Sequence, residues 1–422
     1  MPWDNAAVIE DLADAVLPLI RTRSDLHRWS AANAHGKQMH EGVDILQAAL
    51  GAGDSRVVFA VTTRAIASAC AVIARADDSR GIIGDACRRL LNLHPRAAAA
   101  ARPPVRQLVD WMIKFQFDGV VDFFVIDPVK YADALGEAGI AAYREALDRR
   151  AAALGARPTP SQRWESGHSH EWFVLEWNER RLAVLDRDID AIIATHLRGG
   201  TVAAWYQDVA EALAEIGEFD LAIDWARRGT EFDDGFQALN AGRYWCRLVA
   251  EHHPEQALDV ALTVFRRWPT SGNAAAVRAA SGDRWPQVAD EVLGTLSADP
   301  REAVIFALNE LTDVHLAWSL AQSLGLPRSG LHNVRLWSDL VKKYETIDPL
   351  AALAVHRDLV EGALEVADAV EYRRAARRLA TMRRLAAGTG QDVGVDAFIA
   401  DLREQHRRRP RLQAEFDRAG LP

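Results

Sequence analysis

Apolar residues recur every three or four positions along almost the entire chain, and that single periodicity admits amphipathic helices and little else. In DLADAVLPLI the stripe is Leu12, Ala15, Val16 and Leu19. The same spacing returns in VDILQAALGA, VVFAVTTRAIASACAVIARA, IIGDACRRLLNLH and VRQLVDWMIKFQF. Breaks between these stripes are short, as at Gly51-Ala52-Gly53-Asp54, Asp77-Asp78-Ser79-Arg80-Gly81 and Arg102-Pro103-Pro104, which are turn-forming residues. Alternation of period two is missing. The apolar run Val120–Ile126 is the best strand candidate, and it reads equally as the start of a buried helix. The expectation is an all-α chain of helices joined by tight turns.

At 422 residues such a chain makes about three domains or one long array. Its longest stretch of linker character is Leu154–His170, with Gly155, Pro158, Pro160, Ser161, Ser166 and Gly167. This divides an irregular helical N-terminal half, residues 1–157, from the remainder of the chain. Residues 158–170 are then a linker, 171–369 a repeat array and 370–422 an arginine-rich helical cap.

The array shows internal repetition. AWYQDVAEALAEIGEFDLAIDWARRGTEFDDG reads as helix, turn at Gly217-Glu218, helix. Small residues at Ala210 and Ala222 let two antiparallel helices approach, while Tyr206 and Leu213 are large enough to fill the groove between them. In AGRYWCRLVAEHHPEQALDVALTVFRRWPT the equivalent Ala257 comes 35 residues after Ala222, and Pro269 ends the unit. Ala289 comes 32 residues later and Pro300 stands 31 after Pro269. A further pair is expected around Leu331–Leu364, where Asp348-Pro349 opens a helix. These positions resemble tetratricopeptide repeats: Tyr206, Val209, Ala210 and Leu213 fall where that family has its W-x2-L-G-x2-Y pattern. Two departures stand out, Ala226 where the family has a large aromatic and Asp234 where it has its terminal proline. The resemblance implies a helical-repeat solenoid whose concave face accepts a peptide or helix of another protein.

A second resemblance spans about residues 35–420. The segments DDSRGIIGDACRRLLNLH, YADALGEAGIAAYREAL and VEYRRAARRLATMRRLAAGTGQDVGVDAFIADLREQHRRRPRLQAEFDRAGL are similar to the helical C-terminal part of bacterial SWIM zinc-finger proteins. The finger itself needs CxC followed by CxH, and the chain has neither. The resemblance implies a helical scaffold without the finger's metal or its nucleic-acid role.

Function classes narrow by elimination. Three scattered cysteines (Cys70, Cys87, Cys246) form no CxxC pair and suit a reducing cytoplasm. The start, MPWDNAAVIEDLADAVLPLI, carries acids where a secretion signal carries a basic region, and nowhere do 18 apolar residues run together. A cytoplasmic protein without a membrane span is expected. No Walker loop, nucleophile elbow or HExxH motif is present, so no cofactor and no catalytic residue is assigned. His168-Ser169-His170-Glu171 is the most metal-like cluster, and a metal-dependent enzyme built on His168 and His170 is an alternative; the ordinary reading is a loop and helix cap. His27, His35 and His40 form a looser group without ligand spacing. The acidic turns at Asp77-Asp78 and Asp118-Asp122-Asp127 lack the order of a calcium loop and read as helix caps.

Two surfaces remain. From Val370 to Arg418 twelve arginines face seven acids, so this end is basic within a chain whose net charge is −9. Arg373, Arg374, Arg377 and Arg378 are predicted to share one helical face, extended by Arg407, Arg408, Arg409 and Arg411. They can cap the array, pair with the acidic body, or bind an acidic protein or a nucleic acid. The other surface is the concave side of the clearest repeats, where Tyr206, Gln207, Asn240, Arg243 and Tyr244 are the expected partner-binding residues. Eight of the thirteen tryptophans lie between Trp164 and Trp285, and their spacing places most of them between helices. The leading expectation is a non-catalytic protein–protein interaction scaffold. A nucleic-acid-associated accessory role through the arginine-rich end is the alternative.

Overall fold

The computed structural model describes residues 5–159, 167–198 and 202–422. Among these the chain is all-α, with helices and turns and no strand. It divides into two compact units.

The first unit is built from α1 (Asn5–Ile20), α2 (Trp29–Gly51), α3 (Ser55–Ile73), α4 (Ile82–Ala101), α5 (Val105–Phe117), α6 (Ala132–Leu154, broken at Gly136), α7 (Ser169–Asp186) and α8 (Ile189–Leu197), together with Asp208–Ala222. The second takes Val202–Gln207 and Ile223–Pro422. The linker expected at 158–170 lies partly outside the described residues. The division between units falls well after it, because α7 packs on α5 and α6 and closes the first unit's core through Trp172, Leu175 and Leu182.

Within the first unit helices meet others distant in sequence: α1 packs on α3, α2 on α4, α4 on α6 and α5 on α7. One continuous core results, running from Ala13 to Leu182. α3 is long and apolar enough to cross a membrane by length and composition, yet Val58, Val61, Ala65 and Ile66 are buried against its neighbours. The acidic turn before α4 is a cap, since the Asp78 carboxylate accepts from the amides of Ile83 and Gly84 at 3.0 and 2.8 Å. The apolar run 120–126 is irregular chain leading into a short 3-10 turn, Pro128–Tyr131.

The chain continues through α9 (Ala203–Glu215), α10 (Phe219–Thr230), α11 (Phe236–His252), α12 (Ala257–Arg267), α13 (Ser271–Ser281), α14 (Trp285–Leu296), α15 (Pro300–Ile305), α16 (Val314–Ser323), α17 (Leu331–Tyr344), α18 (Pro349–Glu365), α19 (Ala369–Ala386), α20 (Asp392–Gln405) and α21 (Pro410–Arg418). Gly217 adopts φ 84° and lets the Glu218 amide reach back to Leu213 O, the left-handed closure that ends a helix cleanly. From α11 to α20 the helices pack mainly on their sequence neighbours, and α21 folds back on α19. Aspartates and a threonine punctuate them: Thr270, Asp299, Asp313, Asp348 and Asp368 each accept from an amide of the following first turn. Gly229 permits the close approach on which this packing starts, because a Cβ there would lie 2.8 Å from Ala241 Cβ and 3.2 Å from Tyr206 Cβ. The core is correspondingly divided into local clusters, around Phe265 and Phe306, around Trp318 and Trp337, and around Leu379 and Phe416.

Candidate functional site

α11, α12 and α13 enclose a groove of about 510 Å³. α11 presents Arg243, Cys246, Arg247 and Ala250 to it, a single face at i, i+3, i+4 and i+7. α12 supplies Ala257, Ala261 and Val264, and α13 supplies Gly272, Asn273, Ala276, Ala279 and Ala280. Small side chains on the second and third helices leave the hollow. Arg243 Nε donates to Asn273 Oδ1 at 3.3 Å, and Asn273 is held in turn by donating to Trp268 O at 2.7 Å. The Arg247 guanidinium lies 4.7 Å over the Tyr244 ring, a cation–π contact. Neither arginine has a carboxylate within 4 Å among the described residues. The groove is therefore apolar at its base and cationic on one rim. Burial pushes the Cys246 thiol up to about 12, which removes it as a nucleophile at neutral pH.

Of the five residues expected on this surface, Arg243 lines the groove. Tyr206 instead packs its ring 5.7 Å from Trp225 and 6.1 Å from Phe232. Tyr244 is buried beneath Arg247. Gln207 and Asn240 are half-buried on α9 and α11. Arg247 and the alanines of α13 were not singled out from the sequence. The signal was there in NAAAVRAA, a run too small to fill the space facing α11.

The arginine-rich end is largely self-satisfied. Arg374 meets Glu371, and Arg407 meets Glu404 at 2.6 Å. Arg409 Nη1 donates to Leu364 O at 2.6 Å. Arg378 departs from the shared exposed face: it is half-buried and turned to the Ser338 hydroxyl of α17, and burial lowers its pKa. Arg373, Arg377, Arg408 and Arg411 are exposed and have no carboxylate within 4 Å among the described residues.

His168 and His170 point to different partners. His168 Nδ1 lies 3.1 Å from Glu171 Oε1, whereas His170 Nε2 donates to Gln116 O at 2.9 Å. Among the described residues no three His, Cys, Asp or Glu side chains gather as a metal requires.

The first unit holds three polar networks that no motif announced. Thr63 donates to Phe59 O at 2.8 Å, so its oxygen must accept from His94 Nε2 at 2.9 Å, and His94 Nδ1 accepts from Tyr131 Oη at 2.9 Å. Hydroxyl, imidazole and hydroxyl thus form a relay whose protons all run one way. His94 already carries its proton on the nitrogen facing Thr63 and cannot act as a base toward it. Burial lowers the His94 pKa to about 3, keeping the ring neutral. Gln116, Tyr143 and Asn178 close a second ring: Gln116 Nε2 donates to Tyr143 Oη at 2.7 Å, which donates to Asn178 Oδ1 at 2.7 Å, and Asn178 Nδ2 donates back to Gln116 Oε1 at 3.1 Å. Arg181 bridges two carboxylates, Asp127 at 2.9 Å and Glu215 at 2.6 Å. These networks consume their own donors and acceptors, which makes them structural.

No known protein family matches the chain, and no curated protein is similar to it. Among solved structures the chain is similar to a circular tandem repeat protein described as having a novel repeat topology and enhanced subunit contact surfaces. The two are 13% identical, the similarity covers 98% of this chain and 96% of that one, and the TM-score is 0.19. At that score the backbones do not superpose as one fold, so the helical architecture stands on this chain's own elements.

Proposed function

We propose that the protein is a non-catalytic scaffold that holds an acidic, partly apolar segment of another protein in the groove between α11 and α13. The observation that carries this reading is the pairing of a small-residue hollow with two arginines, Arg243 and Arg247, that have no carboxylate within 4 Å among the described residues. Apolar side chains of a partner would fill the hollow while its carboxylates would meet the rim, which sets orientation and on-rate. The one-way relay at His94 supports the non-catalytic part, since the most triad-like constellation lacks a free base. The tetratricopeptide-like spacing and the likeness to the helical part of SWIM proteins belong to the same proposal, as does residence in a reducing cytoplasm, which the three free thiols support.

Affinity capture with nuclease treatment tests it. A stoichiometric protein retained by the wild type, lost in R243E/R247E and kept in R408E/R411E supports the groove. The same protein retained equally by R243E/R247E refutes it. Arg373, Arg377, Arg408 and Arg411, exposed and without a carboxylate within 4 Å among the described residues, favour the second reading, nucleic-acid association. That reading requires binding that weakens steeply with salt and vanishes in R408E/R411E.

A further inference from the structure

A separate cavity of about 380 Å³ lies in the first unit, between α3, α5 and the irregular chain after α5. Its walls are Ile66, Cys70, Trp111, Phe115, Val120 and Val121. Two features fix these walls. The Trp111 ring is backed by His94, stacked at 4.0 Å, and His94 is locked by the Thr63–Tyr131 relay. Val120 and Val121 fold over the cavity because Gly119 passes close to α5. A Cβ on Gly119 would lie 2.5 Å from Phe115 O, nearer than such atoms approach. The wall is thus formed in advance of any ligand, as small-molecule sites usually are.

The polar groups at the mouth differ in what they have left to offer. Arg64 is neutralised by Glu10 at 3.1 Å. Asp118 is engaged by Arg150 at 2.7 Å. Thr63 has given its proton to Phe59 O. Lys114 is exposed, lines the cavity, and has no carboxylate within 4 Å among the described residues. One cation therefore stands unmatched at the edge of an aromatic and aliphatic pocket.

We propose that this cavity binds a small amphipathic monocarboxylate, with its apolar body between Trp111, Ile66 and Val121 and its carboxylate on the Lys114 ammonium. An isolated positive charge selects a single negative one, and the stacked pair Trp111 and Phe115, with ring centroids 5.5 Å apart, offers a flat face to an aromatic or alkyl body. Burial pushes the adjacent Cys70 thiol up to about 11, so the contact is non-covalent.

Calorimetric titration of the full chain with 4-phenylbutyrate, and with 4-phenylbutanol as its uncharged counterpart, tests the assignment. The expected result is saturable one-to-one binding of the carboxylate, weakened about tenfold by Lys114→Gln, with the alcohol's weaker binding unchanged by that variant. Ala67→Trp, at an exposed position on the cavity's rim, is expected to abolish both titrations while leaving the helical circular-dichroism spectrum intact. Absence of saturable heat from either probe at millimolar concentration overturns the site. Carboxylate binding that Lys114→Gln leaves untouched overturns the role of the ammonium.

Discussion

The two units spend the same helices differently. In the first, helices pair with their neighbours and also extensively across gaps in the sequence, as α1 on α3 and α2 on α4, and share one core; its buried polar groups tie α3 to α4, α5 to α7, and α7 to the end of α9. In the second, helices pair with their neighbours and the core breaks into local clusters. Non-local packing makes a body that holds or loses its structure as a whole, while neighbour-to-neighbour packing lets stability vary along the chain. The candidate partner groove belongs to the second kind and the cavity beside Trp111 to the first.

Cavity-forming substitutions give the largest contrast. Ile83→Ala in the first unit should cost about 2–5 kcal/mol and Phe265→Ala in the second about 3–5 kcal/mol, both side chains being fully buried. Hydrogen exchange should then speed up across α1–α7 for Ile83→Ala, but only in α11–α15 for Phe265→Ala. Uniform acceleration in both variants would erase the distinction.

Arg181→Met comes next. It strands Asp127 and Glu215, which the guanidinium now bridges. Because Glu215 is well exposed to water, the expected loss is about 2–3 kcal/mol, below the range for a fully buried pair. Chemical denaturation of the variant should shift the first unit's transition and leave the second's in place.

Acid should separate the units by a smaller amount. The folded-state pKa of His94 is lowered to about 3 and that of His196 to about 4, in both cases chiefly by burial. Between those values and the ordinary histidine pKa of about 6.5 the unfolded chain takes up protons that the folded unit refuses. This part of the first unit's stability is therefore complete above about pH 6.5 and is lost as pH falls. From pH 7.5 to 5.5 the expected loss is about 1–2 kcal/mol from each of the two histidines. In the second unit burial also lowers the His356 pKa, but its bond to Glu345 opposes the shift, so a weaker response is expected there. Equal responses in exchange-resolved unfolding would contradict this.

The smallest effect has the opposite sign. Thr312 holds φ 53° in the turn before α16, a region that β-branched residues rarely occupy. Thr312→Gly should stabilise the second unit by about 0.5–1 kcal/mol, read as a rise in its melting temperature.

The same difference governs what could be read from residues alone. The turn at Gly217-Glu218, the helix start at Asp348-Pro349 and the pair spanning Leu331–Leu364 were legible because each is completed within a few positions or by the next helix. The relay joining Thr63, His94 and Tyr131 was not, since its members stand 31 and 37 residues apart and none belongs to a motif. Boundaries suffered likewise. Leu154–His170 has linker composition, but the division of the chain depends on α7 meeting α5, a contact no local pattern encodes. At the groove, Arg243 could be placed on the presenting face of α11, whereas the burial of Tyr244 depends on neighbours in three dimensions.

Packing mainly between neighbours also determines how the second unit answers to force. The cluster at its far end joins Val360 to Leu421 and ties α21 back to α19 and α20. Tension applied at the C-terminus would load that cluster first, then the one around Trp337, and only later the helices that frame the groove. A unit assembled this way yields in steps, like a zipper opened tooth by tooth, and the groove framed by α11–α13 keeps its shape until the outer steps have given way.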